Sequence, residues 1–437
     1  MNQSSPDLNT KTLADWLDFI ERLHPREIEL GLDRVRAAYQ QLQPDVPRFK
    51  TISVAGTNGK GSVVALLENI LLHAGYKVGA YTSPHLVHHN ERIRVNGTPV
   101  EDANLCHAFA QVERSRGDIP LTYFEFGTLA ALKIFADAAL DIVILEVGMG
   151  GRLDAVNIID ADVAIVTSVG LDHVAWLGND LETIGREKAG IFRPHRPAIC
   201  AQDDPPESIA ATAKELGAQC YMAGKDFEWL PGDNGWTWRA AGKQRTGLPL
   251  PLMRGRHQMF NAAAVLMALE LLSADFPVSQ HDIREGLANT SLPARFQVLP
   301  GQPVRILDVA HNVEAVAALA ENLSRLPSSG RTLAVVAMMK DKPMAGMFAK
   351  MASSVDKWYL CAIEMARAAS VDQLKQAMIQ AGIAAPCQKY GSVMEAWQAA
   401  QEQALPQDRI VVFGSFYAVG GILGAIHETK ANGSTKR

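Results

Sequence analysis

The residues best suited to chemistry lie between Ser53 and Ser62, where the chain reads SVAGTNGKGS. Thr51-Ile52-Ser53-Val54-Ala55 has the composition of a short buried strand. Beyond it, Val63, Val64, Leu66, Leu67, Ile70 and Leu71 recur at helical spacing. Glycines at such a joint let backbone N–H groups curl around an anion, and the start of a helix adds aligned peptide dipoles. Lys60 would stand against the terminal phosphates of a nucleotide, with Ser62 close to its metal ion. The string departs from the common GxxxxGK[ST] pattern: it is compressed to G-T-N-G-K, and Gly61 falls where a hydroxyl residue usually follows the lysine. An ATP-type phosphate site is favoured over a ligand-free glycine turn.

Other candidates sit where strands should end, the usual ligand edge of an open parallel sheet. Glu146 closes the run LDIVILE, as does the acid that holds magnesium in P-loop enzymes; a carboxylate there could instead pair with a core cation. Ser83 precedes a proline, which is also ordinary turn chemistry. His173 follows the strand of ADVAIVTSVGLDH. Magnesium prefers oxygen ligands, so on physical grounds this histidine is as well read as a structural hydrogen-bonder. Lys188 reads as an ordinary exposed helix lysine. In ILDVAHN, Asp308, His311 and Asn312 fall where a strand gives way to a helix, so Asp308 is either a ribose ligand or a helix cap. Arg295 could reach a phosphate or lie solvated on a linker.

These residues need a scaffold. Two amphipathic helices are expected over 12–24 and 26–42. A second strand is expected over 77–82, and the Val- and Ile-rich runs without alternation that open 140–154 and 161–173 indicate strands covered on both faces, hence a parallel sheet with helices around it. LETIGREKAGIF reads as a helix carrying Lys188. From about Pro197 to Pro251 short segments between Gly and Pro suggest a small antiparallel patch and no further βαβ unit. A helix from about Asn261 to Ser273 closes the first half. Strands at 304–310, 332–339, 357–363 and 409–414 then alternate with helices at 313–326, 344–355, 370–381 and 392–404. That rhythm describes a second, Rossmann-like α/β sheet. The expected division is 1–292 and 293–437, with a polar, disordered tail from Lys430.

A length of 437 residues makes two domains the default. The net charge of −5 argues against a nucleic-acid surface but not against small anionic substrates, which a local cluster of N–H groups, lysine and metal can hold. No apolar run approaches the roughly 18 residues of a membrane span, and the polar start MNQSSPDLNTKT lacks a secretory core, which points to the cytoplasm. Five scattered cysteines without a CxxC pair read as reduced thiols.

Taken in order, AGTNGKGS, YTSPHL, ERIRVNG, LTYFEFGT, LEVGMGGRLDAVN, TSVGLDH, IGREKAGI, ARFQ and DVAHN resemble the folylpolyglutamate synthase and dihydrofolate synthase family, among the Mur-type ATP-dependent amide ligases. LGLDRV and LTYFEFGT are most similar to the bacterial bifunctional type. The resemblance implies an α/β fold: a P-loop-containing Mur-ligase-like domain with a small antiparallel β patch, plus a C-terminal Rossmann-like domain. It implies that Thr57, Asn58, Gly59, Lys60, Gly61 and Ser62 hold ATP phosphates, and that Asn261, Arg295 and Asp308 contact adenine, phosphate and ribose, with ATP between the domains. It further implies that Ser83, Glu146 and His173 bind two Mg²⁺ ions, and that His311 lies near the phosphates in a catalytic role. Lys188 would be carbamylated by CO₂ to N6-carboxylysine, an anionic oxygen ligand suited to a hard metal. Thr122, Tyr123, Phe124 and Glu125, with Leu153, Asp154 and Ala155, would hold the pterin. The implied substrates are dihydropteroate or reduced folates, L-glutamate and ATP, handled by a monomer with no nucleic-acid or membrane partner. Three rivals remain: a Mur-type cell-wall ligase, an ATP-binding regulatory module and a purely structural interaction protein. One departure is Val313, where family members commonly carry proline.

Overall fold

The computed structural model describes residues 10–26, 28–43, 48–233, 235–240 and 242–434, with side chains through Glu428. The chain clusters into two compact units. One takes residues through Pro84, Asn90–Leu252 and His257–Thr290, and the other takes His85–His89, Met253–Arg256 and Ser291 onward.

The first unit is built on eight strands. These are β1 (Lys50–Ala55), β2 (Val78–Tyr81), β3 (Ile93–Val95), β4 (Thr98–Pro99), β5 (Ile142–Glu146), β6 (Val163–Val166), β7 (Pro197–Cys200) and β8 (Gln219–Met222). Their spatial order is β4-β3-β2-β5-β1-β6-β7-β8. The pairs β2–β5, β5–β1, β1–β6, β6–β7 and β7–β8 are parallel, and β3 alone runs the other way, antiparallel to both β2 and β4. Every residue of β5 and β6 is buried, as an apolar run covered on both faces requires. On one face Trp16, Phe109, Phe126 and Phe135 form the core; on the other, Ile184, Phe192 and Ile209 pack over Val166. A separate antiparallel sheet, β9 (Phe227–Gly232), β10 (Gly235–Ala240) and β11 (Lys243–Leu248), is anchored by two buried tryptophans. The Trp236 and Trp238 indole N–H groups donate to the carbonyls of Pro249 (2.8 Å) and Ala263 (3.1 Å).

The second unit has six strands: β12 (Gln297–Leu299), β13 (Val304–Leu307), β14 (Thr332–Val336), β15 (Lys357–Cys361), β16 (Cys387–Tyr390) and β17 (Arg409–Phe413). Their order is β12-β13-β17-β14-β15-β16, all parallel except β12. One face carries Trp358 between Phe348 and Phe413, and the other carries Tyr359, Trp397 and Ile422.

Several expectations need correcting. The second helix starts at Asp33 and not at 26, because the Gly31 amide is drawn to the Leu153 carbonyl (3.3 Å) and the chain around it leaves helical geometry. Pro197–Met222 is a further βαβ unit, with a helix at Glu207–Leu216, so only Phe227–Leu248 forms the antiparallel patch. The half-exposed residues of edge strand β8 disguised it. The helix expected from Asn261 begins at Arg256, and another follows at Gln280–Asn289. The tail is helical through Ser434, continuing a helix from Phe416; its last three residues, like the first nine, lie outside the described residues. Among the described residues no helix is long and apolar enough to cross a membrane.

Candidate active site

The glycine turn joins β1 to the helix Lys60–His73, with Gly59 as its N-cap at φ 91°. Lys60 Nζ donates to the carbonyls of Gly56 (2.9 Å) and Thr57 (3.4 Å), which keeps its stem curled over the loop. A Cβ on Gly59 would approach Asn261 Oδ1 at 2.8 Å, so the loop passes directly beneath that side chain. Asn261 Nδ2 donates to Gln258 Oε1 (3.1 Å), and Gln258 Nε2 donates to Ser62 Oγ (3.1 Å). The expected nucleotide residues Gly59, Ser62 and Asn261 are therefore in one neighbourhood.

At the end of β5, Glu146 is 4% exposed and accepts the Ser83 amide at 3.2 Å. His173 caps a single helical turn with φ 51°, and its amide donates to Asp172 (2.8 Å). Among the described residues no group of three or more His, Cys, Asp or Glu side chains is arranged to hold a metal ion. The donors present here, a buried carboxylate beside a serine, are oxygen ligands of the kind a hard cation takes.

Lys188 departs from the exposed helix lysine that its sequence context suggests: it is 3% exposed. Burial first, and then the charge of Lys60, pull its pKa down to about 7, against the attraction of Asp172 and Asp154. Burial also pushes Asp154 up to about 7. Lys188 is enclosed by motifs that lock together. The Arg152 amide donates to the Glu187 carbonyl (2.9 Å), and its guanidinium pairs with the Glu187 carboxylate (2.8 Å). Asn157 Nδ2 donates to the carbonyls of Arg152 (3.0 Å) and Gly190 (3.1 Å). A Cβ on Gly151 would meet the Lys188 carbonyl at 2.8 Å, and one on Gly190 would overlap Arg152. GGRLDAVN and EKAGI thus build one wall.

The segment Thr122–Glu125 starts the helix Tyr123–Asp137 as a capping box: Thr122 Oγ1 accepts the Glu125 amide (3.3 Å) and Glu125 Oε2 accepts the Thr122 amide (2.8 Å). Phe124 lies over Gly148, where a Cβ would come within 2.6 Å of its ring, and its centroid is 5.9 Å from that of Tyr81. Arg92 lies over the Tyr123 ring at 5.6 Å. Asp154 Oδ2 accepts the Met149 amide (2.9 Å) and Oδ1 the Val156 amide (3.1 Å), which caps the short turn Ala155–Ile158. Sequence reasoning missed Arg34. Its Nε donates to Glu125 (3.0 Å) and its Nη1 to Glu29 (2.6 Å), fastening the N-terminal segment to this helix start. The T-x-x-E spacing carried the capping signal; nothing local marked the arginine.

In the second unit Asp308 is not a helix cap, a role taken by Asn312, whose side chain accepts the Ala315 amide (2.9 Å). The helix start at Val313 is thus held without a proline. Asp308 accepts the amides of Phe296 (2.8 Å) and Ala310 (2.8 Å). Burial raises its pKa, opposed by Arg295, which lies 5.5 Å over the Phe416 ring. His311 Nδ1 faces the Val309 carbonyl at 2.9 Å, a contact that requires a proton on Nδ1.

Two family models match: the Mur ligase middle domain over residues 54–269 and the Mur ligase glutamate ligase domain over 294–416. An Escherichia coli K12 relative, a dihydrofolate synthase/folylpolyglutamate synthase, is 45% identical over 421 residues, covering 96% of this chain and 97% of its own. The structure of E. coli FolC in complex with DHPP and ADP has a TM-score of 0.91 at 44% identity, over 97% of this chain and 99% of that one. A bifunctional synthase structure with Mn, AMPPNP and L-glutamate bound scores 0.89 at 46% identity, over 96% and 99%. The chain belongs to the dihydrofolate synthase/folylpolyglutamate synthase family of Mur-type ligases.

Proposed function

We propose that the protein is an ATP-dependent amide ligase that adds L-glutamate to dihydropteroate, forming dihydrofolate, and to the glutamate tail of reduced folates. One observation carries the local reading: the glycine loop that ends in Lys60 passes directly beneath Asn261, and Gln258 links Asn261 to Ser62 at the start of the same helix. The near-complete match to bifunctional synthases supports the choice of substrates.

In the proposed reaction the substrate carboxylate attacks the γ-phosphoryl group, the β,γ-bridging P–O bond breaks to release ADP, and the carboxylate becomes an acyl phosphate. The amine of glutamate then attacks the acyl carbon and phosphate leaves. Lys60 and the first-turn amides of its helix hold charge on the transferring group in a fixed geometry. Asn261, Arg295 and Asp308 are proposed nucleotide contacts, and His311 is proposed to act near the phosphates. Phe124 offers a flat face to the pterin. Asp154, with a share of its carboxyl protonated near neutrality, can both accept and donate at the ring edge. Ser83, Glu146 and His173 are the proposed holders of two Mg²⁺ ions, which supply charge neutralisation on the phosphates. Lys188 is suited to carbamylation because CO₂ reacts with the neutral amine, which burial favours here. We further propose a monomer acting in the cytoplasm.

The test is product mass after incubation with ATP, L-glutamate and either dihydropteroate or a tetrahydrofolate. Each acceptor is expected to gain a glutamyl residue with matching ADP release. ADP release without glutamate, or glutamylation only of UDP-muramyl acceptors, would overturn the assignment. Lys60→Ala is expected to abolish turnover with both acceptors.

A further inference from the structure

The motif TSVGLDH contributes more than His173. At the end of β6, Thr167 Oγ1 donates to the Asn58 carbonyl (2.6 Å), and Ser168 Oγ donates to the same carbonyl (3.0 Å). Ser168 Oγ also accepts the Asn58 amide (3.0 Å), while the Ser168 carbonyl accepts the Thr57 amide (2.7 Å). Thr57 Oγ1 and Gly170 complete the seam, with the Gly170 amide donating at 2.9 Å. Gly56 is obligatory beneath it, since a Cβ there would fall on the Thr167 hydroxyl.

We propose that Thr167 and Ser168 are positioning residues for the nucleotide: they fix the peptide between Asn58 and Gly59 so that its N–H, and not its carbonyl oxygen, faces the phosphates. A trans peptide is planar and its C=O and N–H point in opposite directions. With the Asn58 carbonyl tied to β6 by two hydroxyl donors, the Gly59 N–H must point away from β6, into the loop. The glycine at 59, with φ 91°, makes this peptide easy to flip. A flipped peptide would present a carbonyl oxygen to an anion. The inference rests on the phosphate-loop reading above and adds to it what sets the loop's polarity.

The experiment measures KM for ATP, dihydropteroate and glutamate, with melting temperature, in Thr167→Val, Ser168→Ala, the double variant and Thr167→Ser. Each hydroxyl deletion is expected to raise KM for ATP about fivefold to tenfold, and the double variant more. KM for dihydropteroate should stay within about twofold, and Thr167→Ser should restore ATP affinity. An unchanged KM for ATP in Ser168→Ala and Thr167→Val would overturn the inference, as would equal losses for all three substrates that track the melting temperature. Lys60→Ala separates the two layers. If it abolishes ATP binding while the hydroxyl variants do not matter, only the positioning role falls. If it binds ATP normally, the phosphate-loop reading itself falls.

Discussion

Lys188 and Arg152 show how single side chains are set by their surroundings. With its pKa near 7, Lys188 is half neutral where an exposed lysine, with a pKa near 10, is almost wholly charged. Activation by bicarbonate is therefore expected to rise as pH increases through about 7. An activation curve that begins to rise only near pH 10 would rule out the depressed amine. The same depression weighs on stability. The unfolded chain binds this proton more tightly, so the penalty is full below pH 7 and shrinks as pH climbs toward the unfolded lysine's range. Lys188→Ala should lose turnover and regain part of it with short-chain carboxylates, and indifference to the substitution would argue against a carbamate. Gly190→Ala is a purely steric probe, because the glycine has φ −62° yet its added methyl would overlap Arg152. A loss of about 1–3 kcal/mol in denaturant unfolding is expected, as in other overpacked sites.

Elements carry the site by their ends. The helix Tyr123–Asp137 is aimed by its Thr122–Glu125 capping box, and Arg34 holds that box to the N-terminal segment. Thr122→Ala should cost about 1 kcal/mol of stability and raise KM for dihydropteroate more than KM for ATP. Equal effects on both would mean that the cap serves the helix alone. Central strands such as β5 and β6 were legible because every residue is buried and, Glu146 apart, apolar. Edge strands β8, β12 and β16 were not, since their half-exposed residues carry no two-sided apolar signature. The glycine turn and Glu146 could be read locally because each stands directly at the end of a central strand. The burial of Lys188 could not, because it arises where residues 151–157 and 187–190, distant in sequence, close around one another.

At the scale of the whole molecule, each unit has its own sheet and its own apolar layers on both faces. Calorimetric unfolding is expected to depart from two-state behaviour, with a calorimetric enthalpy above the van't Hoff value. Trp358→Ala, which empties the space between Phe348 and Phe413, should lower one transition by several degrees and leave the other nearly in place. A single transition with equal enthalpies would show that the two cores melt together. Gly56 and Thr167 hold a lesson for protein engineers. Because the hydroxyl occupies the volume a methyl would need, neither position can be altered without regard to the other. A graft of this turn onto a foreign sheet must bring along the adjoining strand's Thr-Ser pair, or the transplanted ribbon will lack the partner that gives it its shape.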